Sequence, residues 1–381
     1  MKVLLVNPYI RAGGAEVRIR LLIDRLKQHP AIDEVHFLTF GQPAHRSEEN
    51  VHFWRTLKGK VERVVGRLID KFRIDVAQQH NFQEIGTWAV VAAKRKGVPA
   101  VFVAHDYHAL CPHYFLVNVF RAIDQPLCYE IDEEKCSRCV GYYEFWKTKK
   151  HREDLEHCDV GVAASKRMID IFERNGFLEG KWRVITPWVD VDTFKPEPGV
   201  QRKMQCCTLN NYLPHKGAWV ALKAWAIVSK RLPDAVLQMQ GDVRWLSQMI
   251  DMIKTLKLRN VNLLKRMEIE KLRRLYCESW FTVVPSIWEA TFELVRGESL
   301  LCGTPVIASR IGSIPETSAA GHVLFEPRNH EELAEKMIDL FLDPEKAGRL
   351  AKEGREYALK TFHPQRAAEQ FINLYDELIG G

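Results

Sequence analysis

The sequence has no apolar run long enough to cross a membrane, which takes about 18 residues. Its first apolar stretch, residues 3–6, ends at Asn7-Pro8 and is too short for the core of a signal peptide. We therefore expect neither export nor membrane insertion, and we predict a cytoplasmic protein. In that compartment most of the nine cysteines should stay reduced.

The chain also lacks a strong charge of one sign. It carries 55 basic and 49 acidic residues among 381, a net charge of +6. This excess is too small to predict a nucleic-acid partner, although it suits a phosphorylated ligand or an anionic membrane surface. The glycines of AGGAE do not have the G-x-G-x-x-G spacing of a dinucleotide fingerprint, which disfavours a dehydrogenase.

Short apolar runs alternate with amphipathic segments along most of the chain, a pattern typical of parallel sheets with crossover helices. A stretch rich in proline and acidic residues, TPWVDVDTFKPEPGV, indicates a linker between two halves. We therefore predict an α/β fold with two doubly wound, Rossmann-like domains facing across a cleft. The predicted strands are 3–6, 35–40, 51–54, 76–78, 100–104 and 160–163, then 206–209, 236–239, 261–264, 280–284, 305–308 and 322–325.

Two loops before predicted helices are candidate anion sites. Gly13 and Gly14 follow the first strand, where backbone N–H groups at a helix N-terminus can approach a negative charge. A plain tight turn explains this pair equally well. In the second half, Lys216 of NNYLPHKGAW precedes a predicted helix at the corresponding position. A diphosphate cradle is one interpretation of Lys216, and a solvated lysine is the other.

The segment SIWEATFELVRGESLL places several polar groups after one strand. A loop carries Trp288, Glu289 and Phe292, and Glu298 is predicted near the start of the following helix. Carboxylates at a helix entrance are stabilised by the helix dipole, and they accept hydrogen bonds from paired hydroxyls such as those of a ribose or a hexose. Helix capping alone would explain one glutamate, but not the whole loop.

In this order of segments the chain resembles the group 1 family of retaining glycosyltransferases, which use nucleotide-sugars and have the GT-B fold. The resemblance covers nearly the whole chain: GGAE, HDY at 105–107, VDVDTFKP, PHKG from Pro214, PSIWE and ESLLCGTPVIAS, the last being the most specific. It implies an acceptor-side domain at 1–195 with a cysteine-rich insertion at 107–141, a donor-binding domain at 196–362, and a C-terminal helix at 363–381 that returns to the first domain.

The resemblance also implies roles for individual residues. His105 would lie near the transferred sugar, Lys216 would hold the diphosphate and Glu298 the ribose hydroxyls, so these three are the predicted catalytic residues. The reaction would be hexosyl transfer with retention from a UDP or GDP sugar, without a catalytic metal, to a glycan or lipid-linked acceptor in surface polysaccharide assembly. The predicted donor contacts are Gly13, Gly14, Asn211, Lys216, Glu289, Phe292, Glu293, Leu294, Val295 and Glu298.

Three positions depart from the family pattern. Asn211 replaces an arginine, Ala290 replaces a glutamate, and Glu293 stands where a glycine is common. Two other functions therefore remain open: an epimerase or hydrolase that acts on nucleotide-sugars, and a homologue that binds a nucleotide or glycan without transferring a sugar. Candidate replacements are Arg296, Arg266 or Lys265 for the missing cation, and Glu289 or Glu293 for the missing carboxylate.

Four cysteines, Cys111, Cys128, Cys136 and Cys139, lie close together in sequence, the last two as C-x-x-C. Four thiolates suit a structural zinc ion, and an iron–sulfur cluster is an alternative. Buried thiols that pack as small apolar groups are the third interpretation.

The segment 55–73 is basic and amphipathic, with Val61, Val64, Val65 and Leu68 on one face. This pattern favours a solvated helix packed on the sheet. Peripheral contact with an anionic membrane is the alternative, and it is expected if the acceptor is linked to a lipid.

Overall fold

The computed structural model describes residues 1–9, 13–83, 85–116, 127–241 and 243–380, and the side chains of Lys58, Asn210 and Asn211 are outside the description. The chain forms two compact units. The first comprises Met1–Leu116, Cys128–Trp188 and the C-terminal helix, and the second comprises Val189–His363. Residues 189–195, which the sequence placed in the first domain, pack in the second unit, where the Val189 N–H donates to the Phe362 oxygen (2.9 Å).

The first unit is built on one eight-stranded sheet. Its strands are β1 (Lys2–Val6), β2 (Glu34–Phe40), β3 (Ala44–Glu48), β4 (Val51–Thr56), β5 (Val76–Gln79), β6 (Ala100–Val103), β7 (Val160–Ala163) and β8 (Trp182–Val184). They lie in the order β3-β4-β2-β1-β5-β6-β7-β8, and β3 pairs antiparallel with β4 while the other neighbours are parallel. Strands β5, β6 and β7 are buried along their whole length, as expected for parallel strands covered on both faces.

The helices of the first unit are α1 (Gly14–Leu26), α2 (Val61–Phe72), α3 (Trp88–Arg95), α4 (Glu133–Val140), α5 (Tyr142–Leu155) and α6 (Lys166–Arg174). Helix α1 turns Ile19, Leu22 and Leu26 into the core because these positions recur at helical spacing. The C-terminal helix adds Phe371 and Tyr375 to the same core, as the predicted fold requires.

Helix α2 accounts for the basic segment. Its residues Val61, Val65 and Leu68 are buried, while Arg63 and Arg67 are exposed, so the segment forms a helix with one apolar face packed inward. Within the described residues, no helix has the length and apolar composition that a membrane crossing requires.

The second unit contains a six-stranded parallel sheet in the order β11-β10-β9-β12-β13-β14. Its core includes Trp225, Phe281 and Phe325. The strands are β9 (Gln205–Asn211), β10 (Val236–Gly241), β11 (Val261–Leu264), β12 (Thr282–Val284), β13 (Val306–Ser309) and β14 (His322–Phe325). The helices of the second unit are α7 (Ala218–Arg231), α8 (Leu246–Thr255), α9 (Ile269–Glu278), α10 (Leu294–Leu301), α11 (His330–Leu342) and α12 (Pro344–Thr361). The chain then ends in the C-terminal helix of the first unit, α13 (Pro364–Gly380).

Each sheet has a point at which the strand order reverses. In the first unit, β2 lies on one side of β1 and the later strand β5 lies on the other side of β1. In the second unit, β10 and β12 flank β9 in the same way. In doubly wound sheets, ligands bind beyond the carboxyl ends of the strands at such a switch point. The loops after β1 and β5, and those after β9 and β12, are therefore the first places to look for a site.

Candidate active site

Lys216 lies at the switch point of the second sheet. It ends a short 3₁₀ turn, Pro214–Lys216, in the loop after β9. The next residue must be glycine: Gly217 has φ +70°, and a Cβ there would lie 1.8 Å from the Pro285 oxygen. This close approach brings Lys216 against the loop after β12, where its Nζ lies 2.9 and 2.8 Å from the two carboxylate oxygens of Glu293.

Glu293 is held by several donors at once. Its carboxylate also accepts hydrogen bonds from Ser286 Oγ (2.7 Å) and Trp288 Nε1 (3.0 Å), and its side chain is 5% exposed. Burial raises the pKa of this carboxyl, but Lys216 and the hydrogen bonds outweigh that effect and lower the pKa to about 2. Glu293 and Lys216 therefore form a charged pair throughout the physiological range.

The backbone of Glu293 is equally unusual. It has φ 65° and ψ 83°, a left-handed conformation that a non-glycine residue adopts at a cost of about 1 kcal/mol. The residue is also the N-cap of α10.

Glu298 lies further along its helix than the sequence suggested. Because α10 begins at Leu294, Glu298 is the fifth helical residue, and it is Glu293 that occupies the helix entrance. Tyr276 donates its hydroxyl proton to Glu298 Oε2 (2.8 Å). Desolvation raises the pKa of Glu298 to about 7, with a further contribution from Asp190. The carboxyl therefore changes its protonation state near neutral pH.

Arg296 has a structural position that the sequence did not reveal. Its guanidinium is fully buried and donates to the Phe292 oxygen (2.7 Å), Thr317 Oγ1 (2.6 Å) and Ser318 Oγ (2.9 Å). These bonds fix the loop that leads into α10. Arg296 is thus engaged inside the second unit and does not replace the missing cation, whereas Lys265 and Arg266 are exposed after β11.

The other predicted donor contacts surround the same loop. Glu289 and Phe292 are buried, and Leu294 and Val295 form the first turn of α10, where backbone N–H groups have no partner within the helix. Ala290 is fully buried against Gly312. Asn211 ends β9, and its side chain lies outside the described part of the chain.

In the first unit, His105 follows β6 and is joined to two residues that the sequence analysis missed. Its Nδ1 lies 2.6 Å from Arg18 Nη2, and its Nε2 lies 2.9 Å from His80 Nδ1. Since the arginine can only donate, Nδ1 of His105 accepts this hydrogen bond. Arg18 had one sequence signal, because it lies one helical turn before Leu22 on the apolar face of α1.

Burial determines the charges in this cluster. It lowers the pKa of His80 to about 3 and that of His105 well below its usual value, with Arg18 adding to both shifts. Burial also raises the pKa of Asp106 to about 6 and lowers that of Arg18 to about 10. Two neutral imidazoles therefore lie beside a charged guanidinium.

The glycine pair Gly13-Gly14 has a carboxylate beside it. The Gly13 N–H donates to Glu16 Oε2 (2.9 Å), and Glu16 Oε1 accepts from Asn7 Nδ2 (3.3 Å). This N-terminus of α1 is thus capped from within by an acidic side chain. Residues 10–12 of the same loop lie outside the described residues.

The four clustered cysteines are reduced and half-exposed, whereas the other five are buried. Burial raises the pKa of the Cys111 thiol to about 12. In the part of the chain that the structure describes, their sulfurs do not form a group of three within 4.8 Å.

Two family models match this chain. Glycosyl transferases group 1 matches residues 191–357, and Glycosyltransferase Family 4 matches residues 12–193. The spore coat protein SA of Bacillus subtilis (strain 168) is 27% identical over 405 aligned positions, covering 97% of this chain and 96% of that protein. A GDP-mannose-dependent alpha-(1-6)-phosphatidylinositol monomannoside mannosyltransferase of Mycolicibacterium smegmatis is 25% identical over 197 positions, covering 47% of this chain and 52% of that protein.

Solved structures agree with the fold. Anabaena HepE in complex with UDP-glucose has a TM-score of 0.75 at 18% identity, covering 99% of this chain and 100% of that chain. With the family models matching 12–193 and 191–357, the chain belongs to the glycosyltransferase group 1 family. It has the GT-B fold, with two α/β units, one built on a mainly parallel sheet and the other on a parallel sheet.

Proposed function

We propose that the protein is a retaining glycosyltransferase that moves a hexose from a nucleoside-diphosphate sugar to a glycan or lipid-linked glycan. The observation that carries this proposal is the convergence of Lys216, Ser286 and Glu293 on the two loops at the switch point of the second sheet. Charged and polar groups gathered at this place in a doubly wound sheet are typical of a nucleotide site.

In the proposed donor complex, Lys216 binds the diphosphate and Glu298 accepts hydrogen bonds from the ribose hydroxyls. Glu293 then has a second task. Because Ala290 offers no carboxylate, Glu293 hydrogen-bonds a hydroxyl of the transferred hexose once the diphosphate has taken its place on Lys216. The negative charge of a diphosphate exceeds that of one carboxylate, so a diphosphate competes with Glu293 for Lys216.

The transition state of the proposed reaction resembles an oxocarbenium ion with a departing diphosphate. Lys216 and the N–H groups in the first turn of α10 stabilise the negative charge that develops on the leaving group, without a catalytic metal. Within the first unit, Arg18 and His105 form a polar pair after β6 that we propose for hydroxyl groups of the acceptor. The leaving phosphate itself takes the acceptor proton in this scheme.

Calorimetric titration with UDP, GDP, ADP and dTDP, followed by their sugar conjugates, tests the proposal. We expect one preferred nucleotide, bound more tightly with its sugar attached. The HepE structure is a complex with UDP-glucose and the Mycolicibacterium smegmatis relative is named for GDP-mannose, so these two donors come first. Lys216→Ala and Glu298→Ala should each weaken binding about tenfold or more, because each removes a charge-assisted hydrogen bond. Lys271→Ala, at an exposed position on α9, is the control. Unchanged affinity in both site variants would show that the donor site is misassigned.

A second candidate function rests on the same ion pair. Glu293 neutralises Lys216 where the family commonly has glycine, and Ala290 is buried without a polar group. These features also suit a homologue that binds a nucleotide or glycan but transfers nothing. Nucleotide binding without turnover over a broad panel of acceptors would favour it. Release of free sugar or its epimer without any acceptor would instead indicate a hydrolase or epimerase.

The proposal extends to the membrane surface. Arg63 and Arg67 project from the outer face of α2, and a lipid-linked acceptor in polysaccharide assembly would place the enzyme at the cytoplasmic leaflet. Cosedimentation with vesicles that contain anionic phospholipid should decrease in Arg63→Glu/Arg67→Glu. Equal cosedimentation of this variant and the parent protein would remove the membrane contact from the proposal.

We also propose that Cys111, Cys128, Cys136 and Cys139 bind a structural zinc ion. Helix α4 carries two of these thiols and has no fully buried side chain, so apolar packing contributes little to its stability. A metal ion would supply that missing free energy and would ionise the thiols. Elemental analysis of protein purified without chelator should find this zinc, and Cys136→Ser/Cys139→Ser should lose it. A metal content that the double variant leaves unchanged would contradict the site.

A further inference from the structure

The outer part of the first sheet carries a cluster of imidazoles that the proposed transfer does not use. Glu34 and His36 lie two residues apart on β2 and therefore share one face of the sheet. His52 on β4 is in register with His36, and Ser47 on β3 is in register with His52. Three neighbouring strands thus bring these four side chains together.

The ligand atoms of three of them converge. Glu34 Oε2 lies 2.9 Å from His36 Nε2 and 3.8 Å from His52 Nε2, and all three atoms lie within 4.8 Å of one another. The two imidazole rings are stacked, with centroids 4.6 Å apart. The His36 side chain is fully buried while His52 and Glu34 are 20% and 27% exposed, so one side of the group is open to solvent.

The surroundings fix two of these ligands. Lys2 pairs with Glu34 Oε1 (2.9 Å) and leaves Oε2 directed at the imidazoles. Ser47 Oγ lies 2.8 Å from His52 Nδ1, so a proton on Nδ1 leaves the lone pair of Nε2 free for an ion. Hydrogen-bonded outer partners of this kind orient metal ligands and set the tautomer of a ligating histidine.

Binding a metal ion would require His36 to change its tautomer. At present Trp54 Nε1 donates to His36 Nδ1 over 3.3 Å, so Nε2 carries the proton that is donated to Glu34. Binding an ion through Nε2 moves this proton to Nδ1 and gives up the long bond from Trp54.

The cluster lies far from the proposed chemistry along its strands. Glu34 is the first residue of β2 and His52 the second of β4, which places the cluster at the amino ends of these parallel strands. Switch-point ligands bind at the carboxyl ends. An ion at the amino ends would therefore stabilise the sheet and take no part in the transfer reaction.

We propose that Glu34, His36 and His52 bind one divalent transition-metal ion, with zinc as the best match to two imidazoles and one carboxylate. Water completes the tetrahedral shell on the exposed side. The ion connects β2 to β4 and so strengthens the outer part of the first sheet. This site is independent of the proposed transferase function and of the four cysteines.

The test uses full-length protein without a polyhistidine tag, stripped with chelator and titrated with Co²⁺ and with Zn²⁺. Thiolate ligands give cobalt an intense sulfur-to-metal charge-transfer band, whereas nitrogen and oxygen ligands do not, so the two kinds of site are distinguishable in one spectrum. Titration of Cys136→Ser/Cys139→Ser isolates the histidine site. There we expect one cobalt ion with a nitrogen and oxygen spectrum.

The variants His52→Gln and Glu34→Gln should each lower the affinity by more than about tenfold, because even an outer partner of a metal ligand contributes about 10- to 100-fold. His45→Gln is the matched control, since His45 lies on the same face of β3 outside the group of three. With Cys136→Ser/Cys139→Ser as the background, zinc should raise the melting temperature of this protein and of its His45→Gln variant, but not that of its His52→Gln variant. Absence of the nitrogen and oxygen spectrum, or equal affinities in His45→Gln and His52→Gln, would overturn the proposal.

Discussion

Replacing Lys216 by methionine tests the energetics of the candidate site directly. The substitution preserves the length of the side chain and removes the charge that faces Glu293. The Glu293 carboxyl titrates at about pH 2 instead of 4.5, and each unit of pKa corresponds to about 1.36 kcal/mol. The net stabilisation of ionised Glu293 is therefore about 3 kcal/mol.

Part of this stabilisation comes from Ser286 and Trp288, which remain in the variant. Removing one partner from a buried ion pair typically costs about 3–5 kcal/mol, because the other charge stays buried. We expect Lys216→Met to lower the free energy of unfolding by about 2–4 kcal/mol at neutral pH. Since the folded-state pKa of Glu293 is lowered, its contribution is complete above about pH 4.5 and is lost as the pH falls towards 2.

Urea unfolding at neutral pH and at about pH 4 measures both effects. The difference between parent and variant should shrink at the lower pH, and the double variant Lys216→Met/Glu293→Gln should recover much of the loss. Lys271→Met removes an exposed charge of the same unit and should change stability by less than about 0.5 kcal/mol. Equal unfolding free energies for Lys216→Met and the parent protein at neutral pH would refute the reasoning.

Three further changes have defined outcomes. Ionised Glu298 accepts ribose hydroxyls more strongly than the protonated carboxyl does, and its pKa is about 7, so calorimetry should show nucleotide affinity rising from about pH 6 to about pH 8. Glu298→Gln should remove this dependence, and a flat profile in the parent protein would contradict the role. Gly217→Ala should lower the melting temperature by about 5 °C or more, because the new Cβ would lie 1.8 Å from a backbone oxygen. Gly180 also has a positive φ (+71°) but has open space around it, so Gly180→Ala should lower the free energy of unfolding by only about 1 kcal/mol. Similar losses of stability in the two variants would disprove the steric argument. Tyr375→Phe should cost about 1–3 kcal/mol in urea unfolding, since it deprives the buried Gln78 Oε1 of a donor at 2.6 Å, and a negligible loss would show that Gln78 finds another partner.

The strands were readable from sequence because most of them are short apolar runs. All twelve predicted strands are present to within two residues. The two that were missed, β3 and β8, lie at the edges of the first sheet: β3 is exposed throughout, and β8 has three residues of which one is buried. Edge strands need little apolar surface, so the pattern that predicts a buried strand does not reveal them.

The site was readable only in part, because its contacts join distant positions. Lys216 and Glu298 were singled out by local context, but the partner of Lys216 lies 77 residues away. The bond between Arg18 and His105 spans 87 residues. A residue type and its neighbours indicate that a side chain is polar and near a loop; they do not encode which other loop the sheet order brings beside it.

The C-terminal helix α13 has a consequence for how the protein is made. Its residues Phe371 and Tyr375 belong to the core of the first unit, yet they follow the whole of the second unit in the chain. A ribosome therefore delivers every residue of the second unit before the first unit can close its core. Until α13 has been synthesised, part of the apolar surface of the first unit stays uncovered. During this period a nascent chain can aggregate or be bound by chaperones.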